Sequence, residues 1–324
     1  MKGNISARDS MDCSFLDFTD NSTKFQDALK IFTCVVNSIL VLPTVLLNGL
    51  AIITISKTPS LRSVPSSILL LCLASADFMN GMITQPLAVI HVVGEITWND
   101  RLFCVPGVLM ESVAWFASGI SGTTVLALSV DRFLAVHMHL RYNEIVTVFR
   151  TSIFAVAIWP LFTVNAFSRL IGMNNHLFIT TNVVVILACL VAIMLIYYKI
   201  FKIVSHHKVQ IQAQMASVSQ FHTSSRPTDD AKASKSLMTV VYLVGLFWLC
   251  YLPFVCVLVS YLIVGITPSI RTAYCVTATI VFTNSVINPG LYCWRVSEIR
   301  HALLKCVGRG KENTSSCGRT NSNK

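Results

Sequence analysis

Charge is what this 324-residue chain has least of: 12% of its residues are charged, while 54% are hydrophobic. A soluble domain carries about 25% charged residues, so half that share cannot cover a globule of this length, and a secreted, cytosolic or disordered protein is excluded. Among its 11 Cys there is no Cys-x-x-Cys pair and no zinc-type spacing, which speaks against a disulfide-dense or metal scaffold. The first thirty residues hold no apolar core of a signal peptide, so the first apolar stretch is expected to act as its own membrane signal. Two self-similar halves, which transporters usually show, are also missing, and no nucleophile–base pair or metal set suggests an enzyme. With so little charge in a long apolar chain, a bilayer is the expected solvent.

What is present is a series of long apolar runs. A helix needs about 20 mostly apolar residues to cross the hydrocarbon, and seven stretches qualify: Ile31–Ser56, Ser66–Val92, Phe103–Met138, Phe149–Ser168, His176–Val204, Ser236–Val264 and Ile270–Trp294. Residues 1–30 then form an N-terminal tail, and the polar stretch His206–Lys235 reads as a flexible loop. With the N-terminus outside, seven basic and seven acidic residues fall on the exterior, and the remaining basic surplus lies on the cytoplasmic side. That asymmetry fits the positive-inside rule and accounts for the formal charge of +10 without nucleic acid as a partner. Asn4 and Asn21 open Asn-x-Ser/Thr triplets in the tail and are glycosylation candidates.

Polar side chains at membrane depth are costly and usually functional. Asp77 stands in span two, and Asn48, Ser121, Asn284, Ser285 and Asn288 are the residue types that complete an oxygen cage around Na⁺. The alternative is that they bond helix to helix.

The motifs fall one after another on these spans: Leu47-Asn48-Gly49-Leu50, Leu73-Ala74-Ser75-Ala76-Asp77, Asp131-Arg132-Phe133, Trp159-Pro160, Phe247 with Cys250-Tyr251-Leu252-Pro253, and Asn288-Pro289-Gly290-Leu291-Tyr292. The chain resembles a rhodopsin-like (class A) G-protein-coupled receptor from about Ile31 to Cys306. The fold so implied is all-α, a seven-transmembrane bundle over residues 31–294. A short cytoplasmic amphipathic helix 8 over 295–307 and a tail over 308–324 come after it. The implied activity is to bind an extracellular ligand within the bundle and activate a heterotrimeric G protein by outward movement of span six. The alternative is a seven-span transporter or channel.

By that resemblance Asp131 holds Arg132 at rest, with Phe133 in place of the usual Tyr. Pro253 kinks span six, Phe247 is its packing switch, and Tyr251 stands where a Trp is usual. Asn288, Pro289 and Tyr292 form the span-seven motif, and Tyr197 is the span-five residue that meets Tyr292 in the active state. A second lock from an acid at the base of span six is replaced by Ala233, with Asp229 and Asp230 nearly a turn earlier. Cys306 at the end of helix 8 is a palmitoylation candidate, or a plain buried thiol. Arrestin and receptor kinases are implied partners through serines and threonines of the third loop and tail, and membrane lipids through the basic face. The implied location is the plasma membrane, with the C-terminus in the cytoplasm.

Several departures bear on the ligand. The usual bridge from span three to the second outer loop cannot form, because the loop Arg169–Asn175 has no Cys. Cys104 can pair with Cys13 or Cys275, or these thiols stay free. The short loop and the missing span-five proline (Cys189 stands there) are similar to the melanocortin, adenosine, cannabinoid and lysophospholipid branch. The second inner loop, Leu140–Thr147, is similar to that of melanocortin and adenosine receptors. Ala114 stands where an amine receptor needs a carboxylate, and Phe282 where retinal needs a Lys. A peptide, nucleoside or lipid is therefore expected. Gln85, His91, Glu111, Ala114, Ser118, Asn165 and Phe282 are the pocket candidates. Glu111 can face a cationic group of the ligand, be half-solvated, or pair with His91. No cofactor is expected apart from an allosteric Na⁺.

Overall fold

The computed structural model describes residues 23–138, 141–218 and 227–295, with side chains described over 23–138, 141–203 and 245–290. Seven helices are long and apolar enough to cross a membrane. In chain order they are span one, Lys24–Lys57, span two, Pro65–Ile96, span three, Asp100–His137, and span four, Val148–Ile171. Span five, Asn175–Val218, span six, Pro227–Val264, and span seven, Pro268–Arg295, complete the bundle. Among the described residues there is no strand.

The spans begin where the sequence supplies caps. Thr23 and Gln26 form a reciprocal capping box, and the side chains of Asn99 and Thr147 accept from backbone N–H groups at the starts of spans three and four. Each cap satisfies donors that a helix start otherwise leaves orphaned, worth ~1 kcal/mol. Pro65, Pro227 and Pro268 sit at helix starts, where a missing N–H costs nothing. Gly172 (φ 97) ends the short turn that closes span four, and Gly265 (φ 80) separates spans six and seven; both adopt the left-handed backbone that glycine alone enters freely.

Span two is not uniform. Asn80–Thr84 form a single π turn between its two α segments. A π turn inserts one residue and rotates the helix beyond it, and such turns collect at functional sites. The stretch packs closely against span one, where a Cβ on Gly81 would meet the Thr44 side chain at 2.8 Å.

Spans two and three are the most buried and form the centre, with Leu73, Ala74, Leu128, Leu190, Ile193 and Phe247 in one apolar core. Large apolar side chains such as Ile39, Val156, Leu195, Leu249 and Ile263 are left exposed on the outer faces. Apolar exposure on this scale needs a partner or a membrane, and seven such helices identify a multi-pass membrane protein.

One expectation is corrected. The stretch His206–Lys235 is not a plain loop: span five continues helically to Val218, and helix resumes at Pro227. Residues 206–218 contain no Gly or Pro and several good helix formers (Gln, Ala, Met, Lys), so nothing local stops the helix at the membrane edge. Helix 8, Cys306, Asn4, Asn21, Cys13 and the tail lie outside the described residues. So do the side chains of Ala233, Asp229, Asp230 and Tyr292.

Candidate functional site

Three polar clusters are stacked along the bundle, and the middle one centres on Asp77. Its carboxylate is buried; Oδ1 accepts from Ser285 at 2.8 Å and Ser121 at 3.3 Å, and Oδ2 from Asn288 at 2.9 Å. Spans two, three and seven are thereby tied at one point. Ser285 is the hub, since its hydroxyl also accepts from Asn80 and its backbone carbonyl from Asn48. Asn48 and Asn284 make no direct bond to Asp77. Their Oδ1 atoms, with that of Asn80, are buried and without a hydrogen-bond partner among the described residues. A carboxylate, two hydroxyls and three spare amide oxygens, from spans one, two, three and seven, are hard oxygen donors, the chemistry that a small cation such as Na⁺ takes.

At the end of the bundle away from Lys30 and Arg271, Arg132 pairs with Asp131 at 2.7 Å. Asp131 is buried, and its other oxygen accepts from Tyr142 at 2.7 Å. Tyr142 opens the short helical turn Tyr142–Ile145. Burial, reinforced by the hydrogen bond to Asp131, raises its phenol well above the usual tyrosine range. The hydroxyl is therefore a donor at any physiological pH. Phe133 stacks on His137, with ring centroids 5.3 Å apart. Tyr142 is a site residue that sequence reasoning missed; its loop, Leu140–Thr147, stands out in the sequence only by its likeness to other receptors.

Between these clusters Phe247 and Tyr251 stack with ring centroids 4.1 Å apart, shortly before Pro253 in span six. Phe247 lies over Gly122, where a Cβ would come within 3.3 Å of its ring. Ser118 lies near the Tyr251 hydroxyl. Tyr197 is near Ser129 and Arg132.

The main cavity opens above this pair. Its empty space, open mouth included, is about 1060 Å³. His91, Ala114, Ser118 and Phe282 line it; Gln85, Glu111 and Asn165 do not. Gln85 is fully buried, with both amide atoms unpartnered among the described residues. Asn165 donates to Asn182, and it is Asn182 that reaches the cavity wall.

Glu111 requires a correction. It is neither half-solvated nor paired with His91: Arg169 and Trp115 donate to Oε2 at 3.3 and 3.0 Å, and Tyr274 donates to Oε1 at 2.7 Å. Arg169 is itself buried and lies over the Phe178 ring. Three donors take most of this carboxylate's acceptor capacity, and it lines a separate small cavity with Arg169, Tyr261 and Tyr274 rather than the main one.

The outer cluster was not foreseen either. Lys30, Glu95 and Arg271 are all buried, although their places at helix ends suggested solvated positions. Glu95 accepts from Lys30 at 2.9 Å and from two nitrogens of Arg271 at 3.3 and 3.2 Å. Arg271 Nη2 also contacts His91 Nε2, while His91 Nδ1 stands 2.7 Å from the Phe103 carbonyl. The carbonyl can only accept and the guanidinium can only donate, so His91 is the neutral tautomer with its proton on Nδ1. A signal existed in span one. Lys30, Thr33, Asn37, Thr44 and Asn48 recur at helical spacing and trace one buried polar stripe.

Cys104 is disulfide-bonded, and Cys275 is a free thiol. The pairing of Cys104 with Cys275 is thus ruled out, as is a free Cys104.

Compared with known families, residues 47–292 match the model described as 7 transmembrane receptor (rhodopsin family).

Proposed function

The chain belongs to the rhodopsin family of seven-transmembrane receptors, and we propose that it binds an extracellular ligand in the main cavity and activates a heterotrimeric G protein through span six. One observation carries this reading. A single cavity is lined both by Arg271 near the outer end and by Phe247 and Tyr251, the stacked pair on the helix that contains Pro253. Pro253 cannot donate a backbone hydrogen bond, so the helix there is weakened and can hinge. A ligand that shifts the ring pair changes the balance between two arrangements of span six, provided it contacts them differently in each.

At the far end, Asp131 and Tyr142 keep Arg132 from reaching a docked partner, and outward movement of span six would open the space it needs. Asn288, Pro289, Tyr197 and Tyr292 would join spans five and seven in the open state. Asp77, Ser121, Ser285 and Asn288 would hold an allosteric Na⁺, which supplies a counter-charge for the buried carboxylate. The N-terminus would face the exterior of the plasma membrane, with arrestin and receptor kinases acting on the cytoplasmic side.

Nucleotide exchange tests the reading: receptor in lipid nanodiscs with a panel of purified heterotrimers should exceed empty nanodiscs, and Arg132→Ala should abolish the difference. Exchange equal to empty nanodiscs for every heterotrimer, combined with ion flux in liposomes, would favour a channel instead.

A further inference from the structure

This inference rests on the receptor reading and names the ligand class of its cavity. Among the described residues, Arg271 is the only charged side chain lining that cavity; no Asp or Glu faces it. Arg271 is held by Glu95 through Nε and Nη2, and its Nη1 makes no hydrogen bond among the described residues. Glu95 is shared with Lys30, so the buried trio carries one more positive than negative charge. Asp27 stands 4.0 Å from Lys30, but it is 39% exposed and at the rim. His91, fixed neutral, adds no charge of its own to the cavity.

Below Arg271 the wall is mostly apolar: Met110, Trp115, Phe254, Phe282 and Val185 lead down to Phe247 and Tyr251, with Ser118, Thr123 and Asn182 as its polar interruptions. A cationic peptide end finds no carboxylate here, because Glu111 is committed to Arg169, Trp115 and Tyr274. For a nucleoside, the wall offers few open polar atoms: Asn182 is engaged through both its amide atoms, and Asn37 retains only its Oδ1. A spare guanidinium donor above a long apolar shaft suits a different molecule.

We propose that the cavity takes a single-chain anionic amphiphile. Its carboxylate or phosphate pairs with Arg271, and its hydrocarbon tail lies along Trp115 and Phe282 toward the Phe247–Tyr251 pair. Guanidinium pairs with either anion through charge-assisted, often two-pronged hydrogen bonds. The tail contributes apolar burial against Met110, Trp115, Phe254 and Phe282. The tail end, not the head, would bear on the rings of span six.

The test is saturable binding to the purified receptor in lipid nanodiscs, with empty nanodiscs subtracting membrane partition. The probes are oleate, 1-oleoylglycerol 3-phosphate, the neutral monoolein and the cationic oleylamine. Binding of either anion, with no saturable binding of the neutral or cationic probe, supports the proposal, and which anion binds tells carboxylate from phosphate. Arg271→Gln should weaken it roughly 10- to 100-fold, the loss of one charge-assisted hydrogen bond. Arg271→Lys should recover part of the affinity. Glu95→Gln, which removes the compensating charge, should leave binding equal or tighter, so the pair of variants keeps the sign testable if Arg271→Gln fails to fold. Ala114→Phe, which fills the shaft, should abolish binding of the 18-carbon tail. Equal binding of monoolein or oleylamine, or anion binding indifferent to Arg271→Gln, overturns it. Anion binding without nucleotide exchange upholds this assignment and refutes the receptor reading; exchange driven by a ligand indifferent to Arg271 does the reverse.

Discussion

Replacing Tyr142 with Phe removes one hydroxyl and leaves the ring in place. The hydroxyl donates to Asp131 Oδ1 at 2.7 Å, while Arg132 pairs with the other oxygen. A hydrogen bond to a charged group contributes about 1.5–3 kcal/mol; Tyr142 is only half-buried, so the lower end applies. If the bond exists only while Arg132 is held, its loss moves the resting–active balance by about 1.4 kcal/mol, a factor of roughly 10. Tyr142→Phe should therefore raise ligand-independent nucleotide exchange about tenfold, and Asp131→Asn, which removes the ion pair and leaves Tyr142 only a neutral acceptor, should raise it at least as far. The pH dependence carries the same sign. The raised Tyr142 phenol is protonated in the folded chain at pH values where unfolded tyrosines ionise, near ~10. Its contribution is complete below that range and is lost only as pH rises through the raised value. Wild-type basal exchange in Tyr142→Phe beside elevated exchange in Asp131→Asn would refute the reasoning and reduce Tyr142 to a packing residue.

Glu111→Gln leaves Arg169 buried without its carboxylate, a loss of about 3–5 kcal/mol that should lower the melting temperature of the ligand-free receptor; an unchanged melting curve would show that the pair is not closed in solution. Gly119→Val should also destabilise, by about 1–3 kcal/mol or more, because a Cβ there would stand 2.2 Å from the Phe162 ring; Gly119→Val with Phe162→Ala should recover part of it. Exchanging K⁺ for Na⁺ should raise the melting temperature of the wild type and leave Asp77→Asn flat, and equal response of both proteins would remove the Na⁺ assignment.

The helical bundle was legible because its solvent is legible: apolar runs of spanning length report the bilayer directly, and rare acids such as Asp77 and Asp131 mark where the interior is polar. The outer ion pairs were hidden for a related reason. Lys30, Glu95, Arg169 and Arg271 lie at helix ends, where an apolar count assigns charge to water, yet their helical phase turns each one inward. Phase, not hydropathy, held that information, as the stripe from Lys30 to Asn48 shows. The π turn at Asn80–Thr84 had no sequence signature of its own, and it rotates every later residue of span two. Tyr142 was concealed by distance along the chain, since a hydroxyl eleven residues from Asp131 becomes its partner only when the turn after span three closes back.

The central claim is that span six moves away from span three when a G protein docks. Spin labels carried by noncanonical amino acids at positions 137 and 235 report that separation by pulsed electron resonance. Addition of a nucleotide-free heterotrimer that the receptor activates should move the distance distribution to larger values, and Arg132→Ala should hold it at the resting values. An identical distribution with and without the heterotrimer, in a preparation that catalyses nucleotide exchange, would contradict the account.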